Sequence, residues 1–171
     1  KFRASTNYQQ SVQRIQYTCT RAGGQKVSNV EVVSGLYAWN EDVAGAEIGG
    51  TKGKATPMPP AVQERLIRMW ASPQGAPKAA LAGTTETLWW GANPGTLFAD
   101  GLDKVGQTSL TWQAGKPVLT FPIPGVAGAT ATATLDAKYM TEKVVVNNAG
   151  ATTEFTYGGY KDWNNPLNRI E

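Results

Sequence analysis

Carboxylates are the residue type in this chain best suited to catalysis. A glycoside hydrolase needs two of them, set about 5 to 10 Å apart. The candidates are Glu41 with Asp42, Asp100 with Asp103, and Glu86 near Trp89. Because Asp and Glu mostly lie on turns and surfaces, the simpler interpretation is that all five are surface residues. A carboxylate-based carbohydrate-active enzyme is therefore the weakest of the functions considered.

Other catalytic arrangements are excluded by composition. The chain has no histidine, which rules out Ser-His-Asp and Cys-His catalysis and histidine-rich zinc sites. No serine is followed three residues later by lysine, as penicillin-recognising enzymes require. The single cysteine, Cys19, shares a strand face with Ile15 and Tyr17, so we predict a buried thiol. We expect no catalytic residue, no metal site and no cofactor.

Two helices are predicted in the middle of the chain. The apolar residues Val62, Leu66, Met69 and Trp70 recur with helical spacing after a proline start. The polar residues between them are expected on the opposite, exposed face; they are Gln63, Glu64, Arg65 and Arg68. Ser72 is a candidate cap for a helix that would start at Pro73 and stop at Gly83, but Pro77 would interrupt that helix. The second helix is therefore predicted to be short, from Pro77 to Leu81.

Short strands bounded by turn residues account for most of the remaining chain. Alternating apolar residues predict strands at 12–20, 27–33, 37–39, 110–112, 118–121, 130–135, 141–146 and 152–157. The glycine- and proline-rich stretch 44–60 is predicted to be a loop. This order predicts a single α+β domain over residues 1–171. We expect a curved antiparallel β-meander, a half-barrel, packed on one or two helices.

Composition favours a location outside the cytoplasm. Hydrophobic residues make up 41% of the chain and charged residues only 17%, a mixture typical of compact β-rich secreted or periplasmic proteins. The net charge is +3, but the basic residues are scattered, so we expect no nucleic-acid partner. No apolar stretch approaches about eighteen residues, so the chain is not expected to span a membrane.

The segment TETLWWGANPG, residues 84–94, contains adjacent tryptophans. Neighbouring side chains of a strand point to opposite faces, so Trp89 and Trp90 cannot enter the same core layer. The simpler interpretation is that a helix covers one face and loops cover the other. The alternative is a groove for an apolar or amphipathic ligand. Its predicted lining is Trp89, Trp90, Leu97, Phe98 and Met69.

Two stretches carry a resemblance to known proteins. The segment RMWASPQGAPKAAL resembles a Trp-x-Ser/Thr-Pro-His/Gln-Gly-x-x-Lys-Ala-Ala segment of uncharacterised secreted bacterial proteins, some of which also carry a metallo-β-lactamase-type domain. The tail from Ser109 through TEFTYGGYKDWNNP is similar to the same proteins. The predicted meander around a helical lid resembles the half-barrel of outer-membrane lipoprotein carriers, whose cavity holds acyl chains.

The resemblance implies a non-catalytic extracytoplasmic module that binds an apolar or amphipathic ligand. The N-terminus is interpreted as a mature start or a fragment boundary. The chain stops at NNPLNRIE, where another strand is expected, so we expect a missing C-terminal portion. The alternative function is a structural or accessory subunit, with its aromatic surface buried against a partner chain or a second copy.

Overall fold

A computed structural model describes residues 2–42, 53–83, 104–105 and 107–160. These residues form eleven strands, one turn of 3-10 helix and two α-helices. The strands make two antiparallel sheets, of five and six strands, and the helices lie between the two sheets in sequence. Four of the predicted pocket residues, Trp89, Trp90, Leu97 and Phe98, lie outside the described residues.

The first sheet has its strands side by side in chain order. They are β1 Phe2–Asn7, β2 Val12–Thr20, β3 Lys26–Ser34, β4 Tyr37–Glu41 and β5 Ala55–Pro57. The strands predicted at 12–20, 27–33 and 37–39 are confirmed. The two edge strands were not predicted. Every side chain of β1 is exposed, so this strand has no buried face to impose an apolar alternation, and only pairing with β2 defines it.

Both helices are present, and the first matches its prediction. A 3-10 turn, Pro59–Ala61, leads into α1 Val62–Trp70, and α2 Gly75–Ala82 follows. The second helix starts two residues before the predicted Pro77. Pro77 falls in the first turn of α2, where its missing N–H is not needed for a hydrogen bond within the helix. A Cβ atom at Gly75 would lie 2.3 Å from the Met69 carbonyl oxygen, so this close junction requires glycine.

The second sheet is a meander of six strands in which all described pairings are antiparallel. They are β6 Lys104–Val105, β7 Thr108–Gln113, β8 Lys116–Pro122, β9 Thr130–Leu135, β10 Thr141–Asn148 and β11 Ala151–Thr156. The β9 bounds agree with the prediction, and the neighbouring strands are slightly longer than predicted. The fold is therefore α+β, with open antiparallel strands packed on two helices, as predicted. These strands form two sheets, whereas a single meander was expected.

One hydrophobic cluster contains residues of both sheets and both helices. Its largest fully buried members are Trp70 and Leu66 of α1 and Phe121 of β8. The contribution of α2 consists of alanines, including Ala76 and Ala79, and small side chains allow a helix to lie close to a sheet. In the sequence TATATL of β9 the alanines face this cluster and the threonines alternate with them.

Arg65 is buried, which corrects the prediction that it lies on the exposed face of α1. Only 4% of Arg65 is exposed. Its Nη1 donates to the carbonyl oxygens of Val32 and Trp39, at 2.9 and 2.7 Å, and its Nη2 donates to Asn40 Oδ1 at 2.6 Å. A buried guanidinium must have partners, and here the backbone of β3 and β4 supplies them. Arg65 therefore fixes α1 to the five-stranded sheet.

Cys19 is exposed, so the prediction of a buried thiol is wrong. The predicted strand face is correct as far as Ile15, which is buried. Cys19 pairs with Val27 near the β2–β3 turn, four residues beyond Ile15 along β2. Side chains at that end of the hairpin are mostly exposed, so alternation alone did not indicate where burial stops.

Candidate ligand-binding cleft

A surface cleft of about 490 Å³ lies beside the loop that joins β8 to β9. Its volume falls within the range of about 300 to 1,000 Å³ that is typical of ligand pockets. The described residues that line it are Gln107, Pro122, Ile123, Gly125, Val126, Ala127, Gly128, Ala129 and Thr130. Almost all of the lining therefore comes from one loop and the strand ends that it joins.

The floor of the cleft is part of the hydrophobic cluster. Ile123, Val126 and Ala129 are each nearly completely buried and belong to that cluster. Their backbones are joined in a closed loop: Val126 N donates to Ile123 O, Ala129 N to Val126 O, and Ile123 N to Ala129 O, at 3.0 to 3.2 Å. The loop thus holds apolar side chains against the core without help from distant polar groups.

Both helices reach the wall of the cleft. Gly125 has a φ of +77°, and a Cβ atom there would lie 3.2 Å from Leu66 Cδ1 of α1. At the end of α2, Gly83 lies against Pro122 so closely that a Cβ atom would come within 2.9 Å of Pro122 Cδ. The Thr108 hydroxyl also donates to the Ala80 carbonyl oxygen at 2.6 Å. The cleft therefore lies where α2 ends on the six-stranded sheet.

Gly83 and Gln107, which precede and follow the aromatic segment in the sequence, meet at the edge of this cleft. Gln107 N donates to Gly83 O at 2.9 Å, and Gln107 lines the cleft. The predicted pocket residues at positions 89–98 lie between Gly83 and Gln107 in the chain. Their own positions lie outside the described residues, so their place in a pocket stays a prediction.

Met69 is the one predicted pocket residue whose position is described. It is 0% exposed and packs in the hydrophobic cluster with its neighbour Trp70. It lies three residues from Leu66, on the same side of α1. Leu66 lies against Gly125 of the cleft, whereas Met69 is not among the described residues that line it.

The candidate carboxylates among the described residues are engaged in structural contacts. Glu41 is buried and accepts from Arg14 Nη2 at 2.6 Å and from Trp39 Nε1 at 3.4 Å. Asp42 accepts from Lys54 N at 2.7 Å, which joins the ends of β4 and β5. The other candidates, Glu86, Asp100 and Asp103, lie outside the described residues.

The described lining of the cleft is mostly apolar. None of the nine described lining residues carries an ionisable or nucleophilic side chain apart from the weakly reactive hydroxyl of Thr130. Across residues 2–42, 53–83 and 107–160, no group of three or more His, Cys, Asp or Glu side chains could hold a metal ion. What these residues supply is an apolar floor with amide and hydroxyl groups near its rim.

Besides the contacts of Arg65, a cluster of Arg68, Glu31 and Tyr17 positions α1 on the five-stranded sheet. Arg68 Nη2 lies 2.5 Å from Glu31 Oε2, and Tyr17 donates to the other oxygen of Glu31 at 3.0 Å. Burial opposes ionisation of Glu31, but the hydrogen bond and charge of Arg68 outweigh it and keep the pKa of Glu31 below its ordinary value. With Arg65, this contact sets the position of the helix that forms part of the cleft wall.

Hydrogen bonds of tyrosine side chains stabilise the N-terminal end of α2, where α1 and α2 meet. Tyr8 and Ser72 are joined by a hydrogen bond of 2.9 Å between their hydroxyls, and the Tyr157 hydroxyl donates to the Ala71 carbonyl oxygen at 2.9 Å. Tyr160 donates to the carbonyl oxygen of Thr141. Ser72 Oγ also donates to Met69 O at 2.7 Å and accepts from Gly75 N at 3.1 Å, but the N-cap of α2 is Gln74, two residues after the predicted Ser72.

Tyr157 is expected to make stability sensitive to alkaline pH. Burial, and then the neighbouring hydroxyls of Tyr160 and Tyr8, raise its pKa from an ordinary value of 10.0 to about 12. Because the folded state holds this proton more tightly, the stabilisation is complete below the ordinary value and is lost as pH rises towards about 12. In Tyr157→Phe the free energy of unfolding should fall less steeply over that range, and be lower by about 1 kcal/mol near neutral pH.

Urea unfolding of the wild type and Tyr157→Phe at several pH values between about 10 and 12 measures how steeply the free energy of unfolding of each protein falls with pH. The matched control is Tyr139→Phe, which removes the hydroxyl of an exposed tyrosine and should change the stability near neutral pH by less than about 0.5 kcal/mol. If the free energy of unfolding falls equally steeply with pH in the wild type and in Tyr157→Phe, Tyr157 is not the source of the pH dependence.

Comparisons with protein-family models, with curated proteins and with solved structures find no match. The fold and the cleft therefore define the chain only as an α+β protein with open antiparallel sheets and an apolar cleft. Neither helix of the described residues has the length and apolar content that crossing a membrane requires.

Sequence reasoning did not find the cleft. The segment IPGVAGA, residues 123–129, lies between the strands predicted at 118–121 and 130–135. Its apolar residues Ile123, Val126 and Ala129 recur every third position, an unusual density for an exposed turn. That spacing was the available signal that the loop is packed against the core.

Proposed function

We propose that this chain is a non-catalytic extracytoplasmic domain that binds an apolar or amphipathic ligand in the cleft beside the β8–β9 loop. The observation that carries the proposal is the lining. Its floor is made of core residues, Ile123, Val126 and Ala129, yet it borders an open space of about 490 Å³. An apolar chain in this space would remove from water the apolar surface of the lining that is still exposed, at about 25 cal/mol for each Å² buried.

Binding of dodecanol, followed by isothermal titration calorimetry, tests the proposal. We expect saturable binding with a negative heat-capacity change, the signature of apolar burial. In Ala127→Trp a large side chain replaces an exposed alanine of the cleft, and we expect the affinity to fall by at least about tenfold, or about 1.4 kcal/mol.

The matched control is Ala22→Trp, which places the same side chain on an exposed alanine in the turn between β2 and β3. Its affinity should equal that of the wild type. Equal loss of binding in the two variants, or no binding by the wild type, would remove the cleft as a ligand site.

A second candidate function is docking to another chain. Exposed aromatic and apolar residues occur near two turns at the same end of the six-stranded sheet; we call Trp112, Tyr139, Met140 and Tyr160 the end patch. Trp112 is 63% exposed although tryptophan is usually well covered. Size-exclusion chromatography with light scattering tests docking to a second copy of the chain. An oligomeric wild type that Trp112→Ser converts to a monomer supports it. A monomeric wild type contradicts it.

A further inference from the structure

We propose that the cleft selects the uncharged part of its ligand and discriminates against a ligand end that carries a negative charge. The inference rests on the proposed function, since it concerns the same cleft and names the class of ligand group that enters it. A neutral alkyl chain or neutral polar head would be accepted, and a carboxylate or phosphate would not.

Among the described lining residues, no side chain of the cleft carries a positive charge. Among its described lining residues, polar side chains are limited to Gln107 and Thr130, and both are exposed. The deeper residues, Ile123, Val126 and Ala129, are apolar and nearly completely buried. An ionised group placed against these apolar residues would lose part of its hydration without gaining a charged partner among the described lining residues, which is costly.

Several cations on the helices and sheets are already paired away from the cleft. Arg65 donates to β3, β4 and Asn40, and Arg68 is paired with Glu31 at 2.5 Å. Lys116, at the start of β8, is paired with Glu142 at 2.5 Å. Strand β8 runs from Lys116 to Pro122, so this lysine lies at the opposite end of the strand from the cleft. Over six residue steps of about 3.4 Å, that separation is about 20 Å.

Gln107 offers a way to change this selectivity without disturbing the core. Its side chain is exposed, and the hydrogen bond to Gly83 uses its backbone N–H, which substitution leaves in place. Gln107→Lys would put a cation at the rim of the cleft, and Gln107→Glu would put an anion there. The two variants are matched in position and similar in side-chain length.

The experiment compares dodecanol with dodecanoate at a pH of about 8, where the carboxyl group is ionised. Both are titrated below their aggregation concentrations, and the methyl NMR signals of Ile123 and Val126 report occupation of the cleft. We expect the Kd of dodecanol to be at least about tenfold lower than that of dodecanoate. Gln107→Lys should lower the ratio of the Kd of dodecanoate to the Kd of dodecanol several-fold, and Gln107→Glu should not lower this ratio.

The outcomes separate this inference from the proposed function. If dodecanoate shifts the same methyl signals with equal or higher affinity, the selectivity is wrong and ligand binding in the cleft stands. If neither compound shifts these signals, the proposed function fails and the selectivity fails with it.

Discussion

Replacing Trp70 by alanine is expected to lower the free energy of unfolding by about 3 to 5 kcal/mol. Trp70 is 0% exposed and belongs to the cluster that joins both sheets and both helices. Its ring also contacts the Tyr8 ring, with centroids 5.4 Å apart and planes inclined by 44°. The loss would remove a large part of a typical domain stability of about 5 to 15 kcal/mol.

The comparison that makes this result specific is Trp112→Ala. It removes the same side chain from a site that is 63% exposed, and the expected change is within about 0.5 kcal/mol. Chemical unfolding followed by circular dichroism measures both variants. Similar losses for the two tryptophans would contradict the assignment of Trp70 as a centre of the core.

Replacing Arg65 by methionine is expected to lower the free energy of unfolding by about 2 to 4 kcal/mol. The substitution fills a similar volume but removes donors from the carbonyl oxygens of Val32 and Trp39 and from Asn40 Oδ1. Each buried acceptor left without a donor costs about 1 to 3 kcal/mol, although loss of the guanidinium also removes its own desolvation cost. The expected value is therefore smaller than the sum of three lost bonds.

Arg68→Met is the control on the same helix. Arg68 is about one-third exposed, and pairs at such sites contribute about 1 kcal/mol or less. Arg65→Lys should fall between the two, because an ammonium retains the charge but cannot reproduce the planar donor geometry. The same unfolding measurement checks all three variants, and a stability of Arg65→Met equal to or above that of Arg68→Met would contradict the anchoring role.

Elements with one buried face could be predicted from the sequence, and elements defined by backbone contacts could not. The apolar spacing of α1 and the alternation in β9 report burial directly. β9 was predicted at its observed bounds, and α1 was predicted from the apolar residues that it contains. Strands β1 and β5 are exposed edge strands, so hydrogen bonds to β2 and β4 define them. The spacing of apolar side chains does not indicate pairing that depends on backbone hydrogen bonds.

Arg65 and the cleft illustrate the same limit at the candidate site. A helical arginine normally indicates an exposed face, and the acceptors that permit its burial are 25 to 33 residues away in sequence. The cleft likewise depends on how the β8–β9 loop lies against Leu66 and on where α2 ends. Both are properties of packing between elements, which a single sequence does not specify.

The most direct test of the central claim is the detection of NOEs between protons of bound dodecanol and the protein. The account predicts NOEs from the alkyl chain to the methyl groups of Ile123 and Val126 on the floor of the cleft. NOEs confined to other surfaces, such as the end patch around Trp112, or none at saturating ligand, would contradict it.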